Sequence, residues 1–352
     1  MKILIVCDKA WYEKNTNPFC RILLESLAKY GHDVEYGLDY FWNSFKSFDV
    51  IYMQWPEMIY GWRKVKMSEA DHLEQHLNEI KSSGIKIITT CHNLHPHNND
   101  EVYARMYKII YDQSDAIHHL GSYSYDLFCN IYPTKLNFVA PHPIFYDCRK
   151  KGSQQIVARR MLKIPDDKIC ILSFGMFRND SEQNLIYSIV QHFPKVICLC
   201  PRFIKGGLSK FKWYKDITYA YNMFKVRKQG IYANWTFVSE DKIPNYFNAA
   251  DFVLIQRKEI LNSGNLPLGF SAGKIVVGPR KGNVGAILQE TGNPTFDPED
   301  KASLINAVRQ AILLLKENNV VGEKNYQKAI TEWAPDSVGA IINDNIKKLG
   351  NI

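Results

Sequence analysis

The chain has 352 residues, 46% hydrophobic, 13% aromatic and 23% charged, with a formal net charge of +8 at pH 7. That length exceeds one ordinary core and predicts two domains, and the apolar share excludes a disordered or collagen-like chain. The positive balance favours an anionic partner, whether a phosphate-rich ligand, an acidic membrane surface or nucleic acid, without choosing among them.

At the N-terminus, MKILIVCDKAW holds one Lys and a short apolar run. This is far less than a signal peptide or the roughly 20 residues that span a bilayer, and no other uninterrupted apolar stretch is longer, so a soluble, cytoplasmic protein is expected. The cysteines, Cys7, Cys20, Cys91, Cys129, Cys148, Cys170, Cys198 and Cys200, include no CxxC pair and mostly sit in apolar runs. Reduced core thiols are expected rather than disulfides or a zinc site.

Short apolar runs alternate with longer amphipathic stretches, the pattern of an open parallel sheet covered by helices. KILIV, VEYGL, VIYM, IKIITT and AIHHL predict strands of a first half. Phe19, Ile22, Leu23 and Leu27 recur at helical spacing before a helix stop at Lys29-Tyr30-Gly31-His32. After NFVAPHPIFYDCRKKGSQQ the chain turns polar and basic, and KICILSFG, KVICLCP, ANWTFVSE, DFVLIQ and KIVVGP predict strands of a second half. In FDPED, Asp297 is a predicted cap and Pro298 a first-turn residue, with Leu304, Ala307, Val308, Ala311, Ile312 and Leu315 on the buried face. The expected fold is α/β, with two doubly wound Rossmann-like domains facing across a cleft. Residues 1–150 form the first, residues 151–335 the second, and residues 336–352 a helix returning to the first. Ligands in such sheets bind beyond the carboxyl ends of the strands.

In DFVLIQRKEILNSGN an apolar strand is followed by Arg257, Lys258 and Glu259, then by Asn262, Ser263, Gly264 and Asn265 at the start of a helix-like run. Free backbone N–H groups at such a start attract an anion, and Gly264 lets it approach the backbone. An isolated Ser-Gly-Asn is more often a plain cap and turn. Here it has company: SFGMFRND places Gly175 and Arg178 after another strand, and GPRKGNVG places Gly278, Arg280, Lys281, Gly282 and Gly285 after a third. Together the three loops predict a diphosphate pocket.

These segments resemble the donor-binding half of a GT-B glycosyltransferase, of the retaining family that includes glycogen synthase and bacterial mannosyltransferases. The first half adds IYMQWPE and TCHNLHPHNND, which are similar to segments of bacterial surface-polysaccharide glycosyltransferases. The resemblance covers nearly the whole chain. It implies a nucleotide sugar, UDP- or GDP-linked, bound mainly by the second domain, and a glycan or lipid-linked acceptor bound mainly by the first. Arg178 matches the family's phosphate-binding Arg, and Ser263-Gly264 match its backbone turn at the donor phosphates. Two departures stand out. Asn179-Asp180-Ser181-Glu182 occupies the stretch where the family carries a Lys, and the family's ribose-holding second Glu falls near Leu268. Glu259 can supply the first carboxylate, and Arg257, Lys258 or Arg280 can replace the Lys.

Nine of the ten histidines precede residue 143. His92, His95 and His97 lack the spacing of a zinc helix, and no metal is expected. His92 and Glu57 follow predicted strands and are candidates for a general base beside an acceptor hydroxyl, while Trp55, His95 and His97 are candidates for sugar contacts. Structural roles are the ordinary reading of His95, His97, His118, His119 and His142. No Asp-x-Asp stands at a suitable strand end, and the basic loops can neutralise a departing diphosphate, so transfer without a metal is expected. Retention follows from the resemblance alone; if the reaction inverts, Glu57 or His92 is the base.

Residues 202–235 interleave Lys205, Lys210, Lys212, Lys215, Lys225, Arg227 and Lys228 with aromatic residues. An ordinary helix with solvated lysines, an interfacial surface for anionic lipid and a stacking platform for single strands all fit this composition. A membrane surface is the partner carried forward, and nucleic acid is not. Two other classes compete with transfer: a non-catalytic scaffold holding a nucleotide or glycan, and a nicotinamide-dependent oxidoreductase, which the missing GxGxxG after the first strand disfavours.

Overall fold

The computed structural model describes residues 1–8, 17–96, 100–203, 212–234 and 237–350, for residues 212–219 the backbone alone. His97, Lys205, Lys210 and Trp235 lie outside the described residues. The chain divides into two compact units, Met1–Phe145 with Thr331–Ile352, and Tyr146–Ile330. The division thus falls a few residues earlier than 150 and 335.

The first unit carries a parallel sheet of six strands in the order β2-β1-β3-β4-β5-β6. They are β1 (Lys2–Val6), β2 (Asp33–Tyr36), β3 (Val50–Met53), β4 (Lys86–Cys91), β5 (Ala116–His119) and β6 (Leu136–Val139). Strands of a parallel sheet are covered on both faces, which explains why β1 and β3 read as continuous apolar runs. One face packs on Phe19, Leu23 and Leu27 of the helix Phe19–Ala28, together with Val338, Ile342, Ile346 and Leu349 of the helix Pro335–Gly350. The other packs on Leu73, Leu77 and Ile80 of Met67–Ser82 and on Met106 and Ile110 of Glu101–Gln113.

The second unit repeats the plan, with the order β12-β11-β10-β7-β8-β9. Its strands are β7 (Ile169–Leu172), β8 (Val196–Cys200), β9 (Ile231–Ala233), β10 (Phe252–Leu254), β11 (Ile275–Pro279) and β12 (Thr295–Phe296). The doubly wound α/β expectation therefore holds in both units. Two local expectations need correction. The third strand is Ile231–Ala233, ahead of the ANWTFVSE reading, because Ile231 and Ala233 supply the buried side chains and Phe237 is exposed. The helix expected from Asp297 begins at Lys301, capped by Asp300, whose Oδ1 accepts from Ala302 N–H at 2.8 Å. Asp297 instead closes a local turn on Glu299 N–H at 3.0 Å. The predicted face of that helix is otherwise in place, with Leu304, Ala307, Val308 and Ala311 buried. Cys129 is partly exposed and the other seven cysteines are buried, all eight as free thiols.

Candidate functional site

In the second unit β7 and β10 lie side by side, while β8 follows on one flank and β11 on the other. This reversal leaves an open corner at the carboxyl ends of β7 and β10, the place where open α/β sheets bind ligands. The loops 173–179 and 255–264 leave the sheet there. Gly175 turns the first with φ of +102°, a conformation that suits glycine.

Asn265 joins the two loops: its Nδ2 donates to Phe174 O at 2.8 Å, and its backbone N–H reaches Ser263 Oγ at 3.3 Å. Asn262 is fixed from the first turn of the helix Gly282–Glu290, its Oδ1 accepting from Asn283 Nδ2 at 2.8 Å. Gly282 has φ of +58°, and a Cβ there would lie 2.5 Å from Ile260 O. It serves as the close-packed seat of the 260–265 loop, beside Val284 N–H bonded to Leu261 O at 3.2 Å. Gly264 directly precedes the helix Asn265–Ser271.

The cations divide into two groups. Arg257 donates from Nη1 to Glu182 Oε2 at 2.5 Å and from Nη2 to Met176 O at 2.7 Å. Glu182, in the first turn of the helix Asp180–His192, also accepts from Arg178 N–H at 2.8 Å. The Arg178 guanidinium makes no hydrogen bond or ion pair with any described residue. Arg178 is exposed, yet its pKa is lowered, first by desolvation of the guanidinium against the loop and then by the neighbouring Arg257, with Glu182 opposing. Two guanidinium groups with one carboxylate between them leave an excess of positive charge at the strand ends. Glu259 stands apart: its side chain is 80% exposed and pairs with Lys281, while Lys258 reaches Glu299 at 3.4 Å. Leu268 is buried at 4% exposure in the helix where the resemblance expects a carboxylate. Two buried acceptors at this corner, Ser173 Oγ and Gln256 Oε1, have no hydrogen-bond partner among the described residues.

In the first unit the reversal lies between β1 and β3. Trp55 and Glu57 follow β3, and His92 follows β4. The His92 imidazole stacks on the Trp55 indole at 3.7 Å, meets the edge of Phe19 at 4.9 Å, and its Nε2 lies 3.0 Å from Gln54 Oε1. Gln54 is buried, and its Nε2 has no partner among the described residues. Glu57 is buried as well and accepts from Tyr107 Oη at 3.0 and 3.2 Å. Tyr107 Oη also accepts from Asn93 Nδ2 at 3.4 Å, so it couples the loops that carry Glu57 and His92. Burial and the Glu57 carboxylate push the Tyr107 hydroxyl above its ordinary pKa, keeping it a donor. His95 is exposed.

His118 and His119 are buried in hydrogen-bonded positions of the first unit. His118 binds Tyr52 Oη at 2.7 Å and Ala140 O at 2.8 Å, and burial lowers its pKa to about 3. His119 binds Ser124 Oγ at 3.1 Å and Asn137 Oδ1 at 3.0 Å, with its pKa lowered by burial to about 4. Glu182, Gln54, Tyr107 and Asn283 escaped sequence reasoning as site residues. Only Glu182 carried a signal, the unusual acid after Arg178.

No family model and no curated protein matches the sequence. Solved structures do match across the whole chain. Sucrose-phosphate synthase from Thermosynechococcus elongatus superposes with a TM-score of 0.73 at 14% identity, covering 100% of this chain and 99% of that one. Anabaena HepE in complex with UDP-glucose gives 0.69 at 12% identity, covering 100% of both chains. WaaG, a glycosyltransferase involved in lipopolysaccharide biosynthesis, gives 0.60 at 11% identity, covering 97% of this chain and 99% of that one. The fold is that of the GT-B glycosyltransferases.

Proposed function

We propose that the chain is a glycosyltransferase that moves a sugar from a nucleotide donor, UDP- or GDP-linked, to a glycan or lipid-linked glycan acceptor of surface polysaccharide biosynthesis. The observation that carries this reading is the Arg178 guanidinium, exposed just beyond the β7 strand end in the field of Arg257 and without a hydrogen-bonded anion among the described residues. A diphosphate supplies that anion. The fold supports the same reading, since HepE shares it and is complexed with UDP-glucose.

In this account Arg178 and the N–H groups around Ser263 to Asn265 stabilise charge growing on the departing diphosphate. The cations take the role a metal plays elsewhere, so the reaction runs without one. The acceptor rests against Trp55 and His92 of the first unit. In a retaining reaction the leaving phosphate takes the acceptor proton; in an inverting one His92 or Glu57 takes it. Incubation with UDP-glucose or a GDP-sugar and a glycan acceptor tests the reading. Nucleotide release that depends on Arg178 supports it; none with any donor sinks it.

Leu268 and Glu182, standing where a carboxylate and a Lys are expected, favour a second reading: a nucleotide- or glycan-binding module without catalysis. Tight nucleotide binding with neither transfer nor donor hydrolysis selects it.

A lipid-linked acceptor would bring the chain to a membrane surface from the cytoplasmic side. The helix Lys212–Lys228 offers a face for this, with Tyr221 and Phe224 exposed at 65% and 59% beside Lys225 and Lys228. Each Lys or Arg near anionic lipid contributes about 1 kcal/mol. Co-sedimentation with anionic vesicles that is lost on zwitterionic ones supports this role, and equal behaviour on both removes it.

A further inference from the structure

We propose that Glu182 is a positioning residue for the donor phosphates: it holds Arg257 beside Arg178, so the site's second cation comes from the loop after β10. This rests on the nucleotide-sugar reading above.

Glu182 is a carboxylate buried to 3% exposure, an expensive placement unless the charge is paired and hydrogen-bonded. It is both. Its Oε2 receives Arg257 Nη1 at 2.5 Å and Arg178 N–H at 2.8 Å, and it lies in the first turn of a helix, where the dipole favours an acid. Its own N–H is capped by Asn179 Oδ1 at 3.0 Å. A cap alone would need only the bond to Arg178 N–H. The contact with Arg257 adds something a cap does not require, a link across 75 residues between two neighbouring strand-end loops.

That link fixes a guanidinium that would otherwise repel its neighbour. Arg257 contributes to lowering the Arg178 pKa, which places the two cations within each other's field. Without a counter-charge they would separate, since long cationic side chains at a protein surface move apart at little cost. With Glu182 behind it, and with Met176 O taking Nη2 at 2.7 Å, Arg257 is held by two bonds. A guanidinium has five N–H donors, so three remain for a ligand. The acid that stands where the resemblance expects a Lys thereby organises a replacement for it.

The test is calorimetric titration of UDP and of inorganic pyrophosphate into the wild type, Arg178→Ala, Glu182→Ala, Glu182→Gln, Arg257→Ala and the double variant Glu182→Ala/Arg257→Ala. Glu182→Ala and Arg257→Ala are each expected to weaken UDP about tenfold. The double variant is expected to be no weaker than Arg257→Ala alone, because Glu182 acts through Arg257. Glu182→Gln keeps an acceptor for Arg178 N–H and therefore the cap. It guards against loss of folding in the alanine variant, and is expected to lose part of the affinity with little change in Tm. Losses that add in the double variant, or Glu182 variants that bind as the wild type does while Arg178→Ala fails, overturn the role of Glu182 alone. A wild type that binds neither UDP nor pyrophosphate overturns the phosphate site and this proposal together.

Discussion

The indole of Trp55 and the imidazole of His92 lie nearly parallel, 11° apart in plane and 3.7 Å between centroids. One face of Trp55 is thus taken by His92, and His92 is held by Trp55, Phe19 and Gln54. Such aromatic pairs are worth about 1 kcal/mol beyond their buried area. Trp55→Ala is therefore expected to lower stability by at least that amount in urea denaturation. UDP affinity should stay unchanged, because the pair belongs to the first unit; a matching loss of UDP binding would contradict the assignment.

Arg159 and Asp251 form a largely enclosed ion pair of the second unit, at 2.6 Å with side chains 7% and 23% exposed. Arg159 also donates to Ala249 O at 3.0 Å, and Asp251 Oδ2 accepts from Cys170 N–H at 2.7 Å. Removing Arg159 leaves the largely buried Asp251 carboxylate with only the neutral donors Cys170 N–H and Gln155 Nε2, a loss of about 3 kcal/mol. Arg159→Ala should show a large fall in Tm, whereas an unchanged Tm would mean the pair is solvated.

Two glycines with similar backbone angles should respond differently to alanine. Gly292 has φ of +71° and open space around it, while Gly282 would drive a Cβ to 2.5 Å from Ile260 O. Gly292→Ala then costs only the left-handed conformation, about 1–2 kcal/mol. Gly282→Ala must also displace the 260–265 loop, so it is expected to weaken nucleotide binding as well as stability. Equal effects of the two substitutions on binding would detach Gly282 from the site.

His118 and His119 are fully buried and neutral, with pKa values of about 3 and about 4 against roughly 6.5 for an unfolded histidine. Between those limits the unfolded chain binds more protons than the folded one, so stability rises with pH. The full contribution is present above about pH 6.5 and declines as the pH falls towards 4, by up to about 1.4 kcal/mol per pH unit for each group. Urea midpoints at pH 7 and pH 5 measure this, and a higher midpoint at pH 5 would contradict it.

The apolar runs KILIV, VIYM and KVICLC announced their strands because a parallel strand is buried on both faces. The β9 position was less legible, since Ile231–Ala233 is too short to show a period and the aromatic residues after it imitate one. At the candidate site, the placement of Gly175 and Arg178 just after β7 was legible because an apolar run followed by a glycine marks a strand end. Glu182 was visible only as an oddity. Its meaning lies in a bond to Arg257, set by strand order rather than by sequence spacing. Likewise Tyr107 reaches Glu57 from the helix Glu101–Gln113, a pairing no local motif encodes.

The most direct test of the central claim is a thermal-shift titration with UDP, GDP, ADP, CMP and their common sugar conjugates, run on the wild type and on Arg178→Ala. A ligand held at 100 times its Kd stabilises the folded chain by about 2.7 kcal/mol, well within reach of the assay. The account predicts that a uridine or guanosine diphosphate, or its sugar conjugate, raises Tm in the wild type, and that the shift is lost or moved to at least tenfold higher concentration in Arg178→Ala. An equal shift in both proteins, or none with any nucleotide, would contradict it.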